Sequence, residues 1–114
     1  MVNFAIIGTG FIAAQHAKAI KENPNATLVA VCDMNAERAA AFAADEGIDK
    51  VFTDYNVLLQ DPDIHAVSIC TPSGTHGVIS TAAANAGKHI LCEKPIETKA
   101  DKIDALIAAV EANK

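Results

Sequence analysis

Short apolar runs alternate with stretches of helical periodicity from one end of the chain to the other. The runs Phe4–Ile7, Leu28–Cys32, Val51-Phe52, Ala66–Cys70 and His89–Cys92 have the length of buried strands. Between them, residues from about Phe11 to Lys21, Ala36 to Glu46 and Thr75 to Ala86 carry apolar positions at helix spacing. A brief helix is expected between Asp54 and Gln60. A last one opens at Thr98, with Asp101 in capping-box position and Ile103, Leu106, Ile107 and Val110 on one face.

The punctuation agrees with this division. Asn23-Pro24-Asn25 stops the first helix and Asp61-Pro62-Asp63 makes a turn. Asn35 is placed to cap the second helix, and Gly47 and Gly87 close helices behind them. Strands alternating with helices predict an α/β fold, a doubly wound parallel sheet of five strands with right-handed crossovers. The expected order is 3-2-1-4-5, the Rossmann arrangement, rather than the flavodoxin-like 2-1-3-4-5. With 114 residues and no internal linker or repeat, residues 1–114 are expected to form a single dinucleotide-binding domain.

The choice between the two orders rests on the first turn. Phe4–Ile7 runs into Gly8-Thr9-Gly10-Phe11-Ile12-Ala13, a strand, glycine turn and helix spaced Gly-x-Gly-x-x-Ala. Gly8 would allow the tight turn, Gly10 would let a pyrophosphate approach the backbone, and Ala13 would let helix and strand pack closely. The phosphates would then meet free N–H groups at a helix N-terminus. Asp33, 33 − 13 = 20 positions beyond Ala13, ends the second strand where an acid should receive the adenosine ribose hydroxyls. That carboxylate would repel a 2′-phosphate, so NAD is expected and NADP disfavoured. Arg38, five residues on, bears on the choice, because an arginine there could soften it; as an exposed helix charge it would not.

Composition narrows the classes further. The chain is 51% hydrophobic and only 4% aromatic, so Ala, Val, Ile and Leu must build the core, as suits parallel strands covered on both faces. The formal charge of −5 argues against nucleic acid and anionic membrane as partners. No secretory pattern opens the sequence and no apolar run has membrane-spanning length, so a cytoplasmic location is expected. Cys32, Cys70 and Cys92 suit neither a disulfide framework nor a paired-cysteine zinc site, and read as small hydrophobes in a reduced core. His16, His65 and His89 show no metal spacing and are expected at surface or hydrogen-bonded positions, so no metal site is expected.

Three segments together resemble one family. The Gly8–Ala13 turn, the loop Cys70-Thr71-Pro72-Ser73-Gly74-Thr75-His76 and the stretch Ala86-Gly87-Lys88-His89-Ile90-Leu91-Cys92-Glu93-Lys94-Pro95 are similar to the N-terminal domain of the glucose–fructose oxidoreductase, inositol dehydrogenase and rhizopine-catabolism (Gfo/Idh/MocA) family. The resemblance covers essentially the whole chain, and Glu93-Lys94-Pro95 is its most specific part. It implies an NAD(P)-dependent dehydrogenase of a sugar, nucleotide sugar or cyclitol hydroxyl. It further implies that Gly8, Gly10, Phe11 and Ile12 line the pyrophosphate and that Thr71 and Pro72 pack on the nicotinamide-side ribose. His76 would support that loop near the cofactor and Glu93 would bond the nicotinamide end. Lys94 would reach the substrate hydroxyl as the catalytic side chain. Ser73 departs from the Asn often found at that position.

Full-length members carry a second domain, and this sequence contains no counterpart to it. An isolated cofactor domain that binds NAD but turns over poorly is therefore expected, with a bare strand-5 edge that favours a homodimer. Two other readings stay open: the cofactor domain of an NAD-dependent glycosidase, and a nucleotide-binding or self-associating module without chemistry.

Overall fold

The computed structural model describes residues 2–70, 73–91 and 107–112, with the side chains of residues 11, 12, 73–77 and 91 outside the description. Five strands and four helices follow one another as β1 (Val2–Ile7), α1 (Phe11–Lys21), β2 (Ala26–Cys32), α2 (Ala36–Glu46), β3 (Lys50–Phe52), α3 (Tyr55–Leu58), β4 (Ala66–Ile69), α4 (Ser73–Asn85) and β5 (His89–Leu91). Residues 107–112 are again helical, within the last expected helix; its proposed start at Thr98 and Asp101 lies outside the described residues. All strand pairs are parallel and the order is β3-β2-β1-β4-β5, as the glycine turn and Asp33 indicated. Boundaries differ by a few residues: β1 and β2 each start two residues early, and α4 starts at Ser73 rather than Thr75.

The caps act as expected. Asn35 accepts from the Arg38 N–H at 3.1 Å and Asp54 from the Asn56 N–H at 2.8 Å. Gly47 ends α2 with φ of 71°, a left-handed conformation that costs glycine little.

Because side chains alternate along a strand, β1 supplies two cores at once. Val2, Phe4 and Ile6 point to one face and pack with Ala13, Ala17 and Ile20 of α1 and with Ile107 and Val110. Ala5 and Ile7 point to the other, where they join Val67 and Ile69 of β4, Leu58 of α3, and Ile79 and Ala83 of α4. The central strand is thus covered on both sides, which is why its sequence is almost continuously apolar.

One polar pair lies inside this packing. His16 occupies the same helical stripe as Ala13, Ala17 and Ile20 and is fully buried. Its Nδ1 is hydrogen-bonded to the hydroxyl of Ser68, also fully buried, on β4. Ser68 Oγ in turn lies 3.6 Å from Cys70 Sγ. Of the two positions expected for His16, surface or hydrogen-bonded, the second is found. A buried imidazole must have such a partner, and the pair ties α1 to β4 across the face of the sheet.

The two ends of the sheet differ in what their polar groups do. At the amino end, Lys88 reaches in and donates its half-buried amine to the carbonyls of Asp61 (2.7 Å) and Ile64 (2.6 Å). Burial lowers its pKa, with Asp61 and Asp63 acting against that. Lys50 pairs with Asp61 at 2.8 Å beside it. His65 accepts the Asn3 N–H through Nδ1 at 2.9 Å. These contacts bind the turn before β4 to the sheet. At the carboxyl end the polar groups gather around the turn after β1.

Candidate cofactor site

The carboxyl ends of the three middle strands are sewn together by backbone. The Gly8 N–H donates to the Cys32 carbonyl at 2.7 Å, and the Cys70 N–H to the Ile7 carbonyl at 2.8 Å. Gly8 achieves its bond by taking φ of 98°, in the region where a side chain would be strained. Gly10 is glycine for a different reason. Its φ of −78° is open to any residue, and it stands as N-cap of α1 without a side-chain cap. Among the described residues a Cβ on Gly10 would meet only Arg38 Nη2, at 3.9 Å. The missing side chain therefore keeps the approach to the first turn of α1 clear. There the leading N–H groups of Phe11 and Ile12 have no intrahelical acceptor, and the dipole favours an anion. Ala13 is fully buried against β1, as close helix–strand packing requires.

Asp33 is fastened to this turn. Its Oδ2 accepts both the Thr9 N–H (3.0 Å) and the Thr9 hydroxyl (2.6 Å), and its Oδ1 accepts the Asn35 N–H (2.8 Å). Burial acts to raise its pKa. The bonds from the Thr9 hydroxyl, Asn35 N–H and Thr9 N–H, with the Arg38 charge nearby, outweigh burial and hold the carboxyl below the usual value. The group is therefore an anion at neutral pH, presented beside the glycine turn. Cys32, one residue earlier, shows the opposite effect: burial, then the charges of Asp33 and Asp54, push its thiol up to about 11. It stays protonated and unreactive at neutral pH.

The structure thus brings together Gly8, Gly10, Asp33 and the backbone of Phe11 and Ile12 at one end of the sheet. His76 lies in the first half of α4, after β4, with its side chain outside the description. Thr71, Pro72, Glu93 and Lys94 lie outside the described residues. Thr9 was missed from sequence, although a hydroxyl between the two glycines is the signal that could have found it. Among the described residues no group of three His, Cys, Asp or Glu side chains could hold a metal ion. Nor is any helix there long and apolar enough to cross a membrane.

A helix N-terminus after β1 and an anchored acid at the end of the neighbouring strand β2 have the arrangement a dinucleotide needs. A family profile described as "Oxidoreductase family, NAD-binding Rossmann fold" (GFO_IDH_MocA) matches residues 2–114. The chain belongs to this family. Among its relatives, inositol 2-dehydrogenase of Rhizobium meliloti is 40% identical over 99% of this chain and 34% of its own length. A scyllo-inositol 2-dehydrogenase (NADP(+)) of Bacillus subtilis is 34% identical over 99% of this chain and 34% of its own. The structure of scyllo-inositol dehydrogenase from Lactobacillus casei, with bound NAD(H) and scyllo-inositol, superposes with a TM-score of 0.76 at 32% identity, covering 99% of this chain and 34% of that one. The chain therefore spans about a third of the length of these Gfo/Idh/MocA relatives.

The anchored acid gives a direct test. A group whose folded pKa is depressed contributes stability above its unfolded pKa, about 3.9, and that contribution is lost as pH falls through the folded value. Thr9→Val removes the 2.6 Å hydroxyl bond. The Asp33 pKa should rise, the acid-side loss should begin at higher pH, and stability at pH 7 should fall by about 1 kcal/mol. Denaturant unfolding at pH 7 and pH 3, with an NMR titration of the carboxyl, measures all three. An unchanged titration would separate Thr9 from the ionisation of Asp33.

Proposed function

We propose that the chain is the cofactor-binding part of an oxidoreductase acting on a hydroxyl of a cyclitol, sugar or nucleotide sugar, with residues 1–114 as one Rossmann unit and NAD as its preferred cofactor. The observation that carries this reading is the ionised Asp33, held by Thr9 against the β1–α1 turn. Two relatives named as inositol dehydrogenases, one of them solved with NAD(H), support the cofactor and substrate class.

The chain's own residues divide the work. Gly8 and Gly10 shape the turn, and the N–H groups of Phe11 and Ile12 receive the diphosphate. Asp33 accepts from the ribose hydroxyls, and its charge disfavours a 2′-phosphate. The resemblance assigns the nicotinamide side to Thr71, Pro72, His76 and Glu93, and the substrate hydroxyl to Lys94. When bound, the nicotinamide supplies the hydride acceptor. Lys94 contributes charge at the hydroxyl that loses its proton. With no further acid or base assigned in this sequence, turnover by the 114 residues alone would be slow. The Bacillus relative that uses NADP(+) shows that the family contains both preferences. The choice here follows from the acid at position 33.

Calorimetric titration tests the reading. NAD should bind the chain at least about tenfold more tightly than NADP, and Asp33→Arg should reverse the order. Equal affinity in the parent chain, or an unchanged order in the variant, would refute the role of Asp33. NADH formation from an inositol or sugar, followed at 114-residue length, should be barely measurable; rapid turnover would contradict the division of labour.

Self-association along β5 belongs to the same reading. Among the described residues β5 pairs with β4 on one side only, and an open strand edge is a template for a second copy. Sedimentation should show a dimer that dissociates on dilution. A monomer mass independent of concentration would rule it out.

A further inference from the structure

We infer that Lys88 is a positioning residue for the nicotinamide half of the cofactor: fastened to the turn before β4, it fixes the register of β5 and so the point at which that strand ends at the carboxyl edge of the sheet. The inference rests on the cofactor reading above.

β5 has little with which to set its own register. It is three residues long, with His89, Ile90 and Leu91 facing Ala66, Val67 and Ser68 of β4. Ile90 and Leu91 are apolar in succession, so a one-residue slip would still offer an apolar side chain to the core that Ile90 packs against. Such a slip would nevertheless move the end of the strand by about 3.3 Å and turn its side chains over. Lys88 stands immediately before the strand and removes that freedom. Its amine donates to the carbonyls of Asp61 (2.7 Å) and Ile64 (2.6 Å), and its backbone N–H donates to the Ala83 carbonyl of α4 (3.0 Å). Two acceptors on one turn set the height of the amine, and the strand follows it.

The turn that Lys88 grips is itself tied to the rest of the sheet. Asn3 of β1 donates its side-chain amide to the Asp63 carbonyl and its N–H to His65 Nδ1, both at 2.9 Å. Lys50 of β3 pairs with the Asp61 carboxylate at 2.8 Å. β3 and β5 are the two edges of the sheet, and through this turn both are referred to β1, the strand that runs into Gly8. With phosphate and ribose assigned to the ends of β1 and β2, the other half of a dinucleotide falls to the ends of β4 and β5. From the amino end of the sheet, without touching the ligand, Lys88 thereby sets how the end of β5 stands relative to the phosphate turn.

The test is calorimetry on the 114-residue chain with NAD and with ADP-ribose, which lacks the nicotinamide, together with amide hydrogen exchange. Lys88→Met should weaken NAD about fivefold and ADP-ribose by less than about twofold. Exchange at Ile90 and Leu91 should quicken in the same variant. Lys88→Arg, which can still donate to both carbonyls, should recover most of the difference. Asp61→Asn weakens the Lys50 pair but keeps the carbonyl that Lys88 uses, so the ratio of NAD to ADP-ribose affinity should stay as in the parent. Should Lys88→Met fail to fold, Lys88→Gln carries the same comparison. Equal losses for the two ligands, no loss, or a parent chain that binds NAD no more tightly than ADP-ribose overturns the inference and leaves the cofactor reading standing. A parent chain that binds neither overturns the cofactor reading and this inference with it.

Discussion

Asp33 must stay charged while it is half buried, and the carboxyl end of the sheet is arranged to allow that. An ion withdrawn from water needs replacement donors. Here they come from the two segments that the cofactor would bridge: the turn after β1, through both polar groups of Thr9, and the turn after β2, through the Asn35 N–H. Satisfying the carboxylate also fixes how the turns sit relative to each other. The helix end that would accept phosphates is therefore held at a set distance from the acid that would accept ribose hydroxyls. The strand ends bring this about in the backbone too, with Gly8 bonded to Cys32 and Cys70 to Ile7.

Packing makes that arrangement rigid. β1 carries apolar side chains to both faces, so α1 on one side and α4 on the other are pressed against the strand that leads into the glycine turn. The buried His16–Ser68 pair adds a directional bond to an otherwise non-directional contact between α1 and β4. At the opposite end of the sheet, Lys88 commits its amine to the Asp61 and Ile64 carbonyls. Charge at that end is engaged with backbone carbonyls and in the Lys50–Asp61 pair, whereas at the carboxyl end Asp33 is bonded to the turn before α1 and Arg38 Nη2 reaches toward Gly10.

The sequence reading recovered the elements that depend on short-range rules. The strands are short apolar runs bounded by turn residues; Asn35, Asp54 and Gly47 are caps whose partners lie within a few positions; and the Gly8-x-Gly10-x-x-Ala13 spacing with Asp33 is a local motif repeated at a known distance. What it missed depends on register between distant segments. Thr9 and Asp33 are 24 positions apart, and His16 and Ser68 are 52 apart. They meet only because β1 lies between β2 and β4. The sequence left His16 at either a surface or a hydrogen-bonded position; its place on the buried stripe with Ala13, Ala17 and Ile20, and its partner, became clear only once Ile6 was seen opposite Ser68 in the sheet. Arg38 was legible as a charge five residues beyond Asp33; that it leans over Gly10 was not.

The carboxyl end of this sheet would seat the dinucleotide. The most direct measurement is residue-resolved NMR of the backbone amides during titration with NAD. The largest, saturable shifts should fall on Gly8 through Ile12 and on Asp33 and Asn35, with little change around Asp61–Ile64 and Lys88 at the far end. Shifts centred on that far end, or none at millimolar ligand, would contradict it.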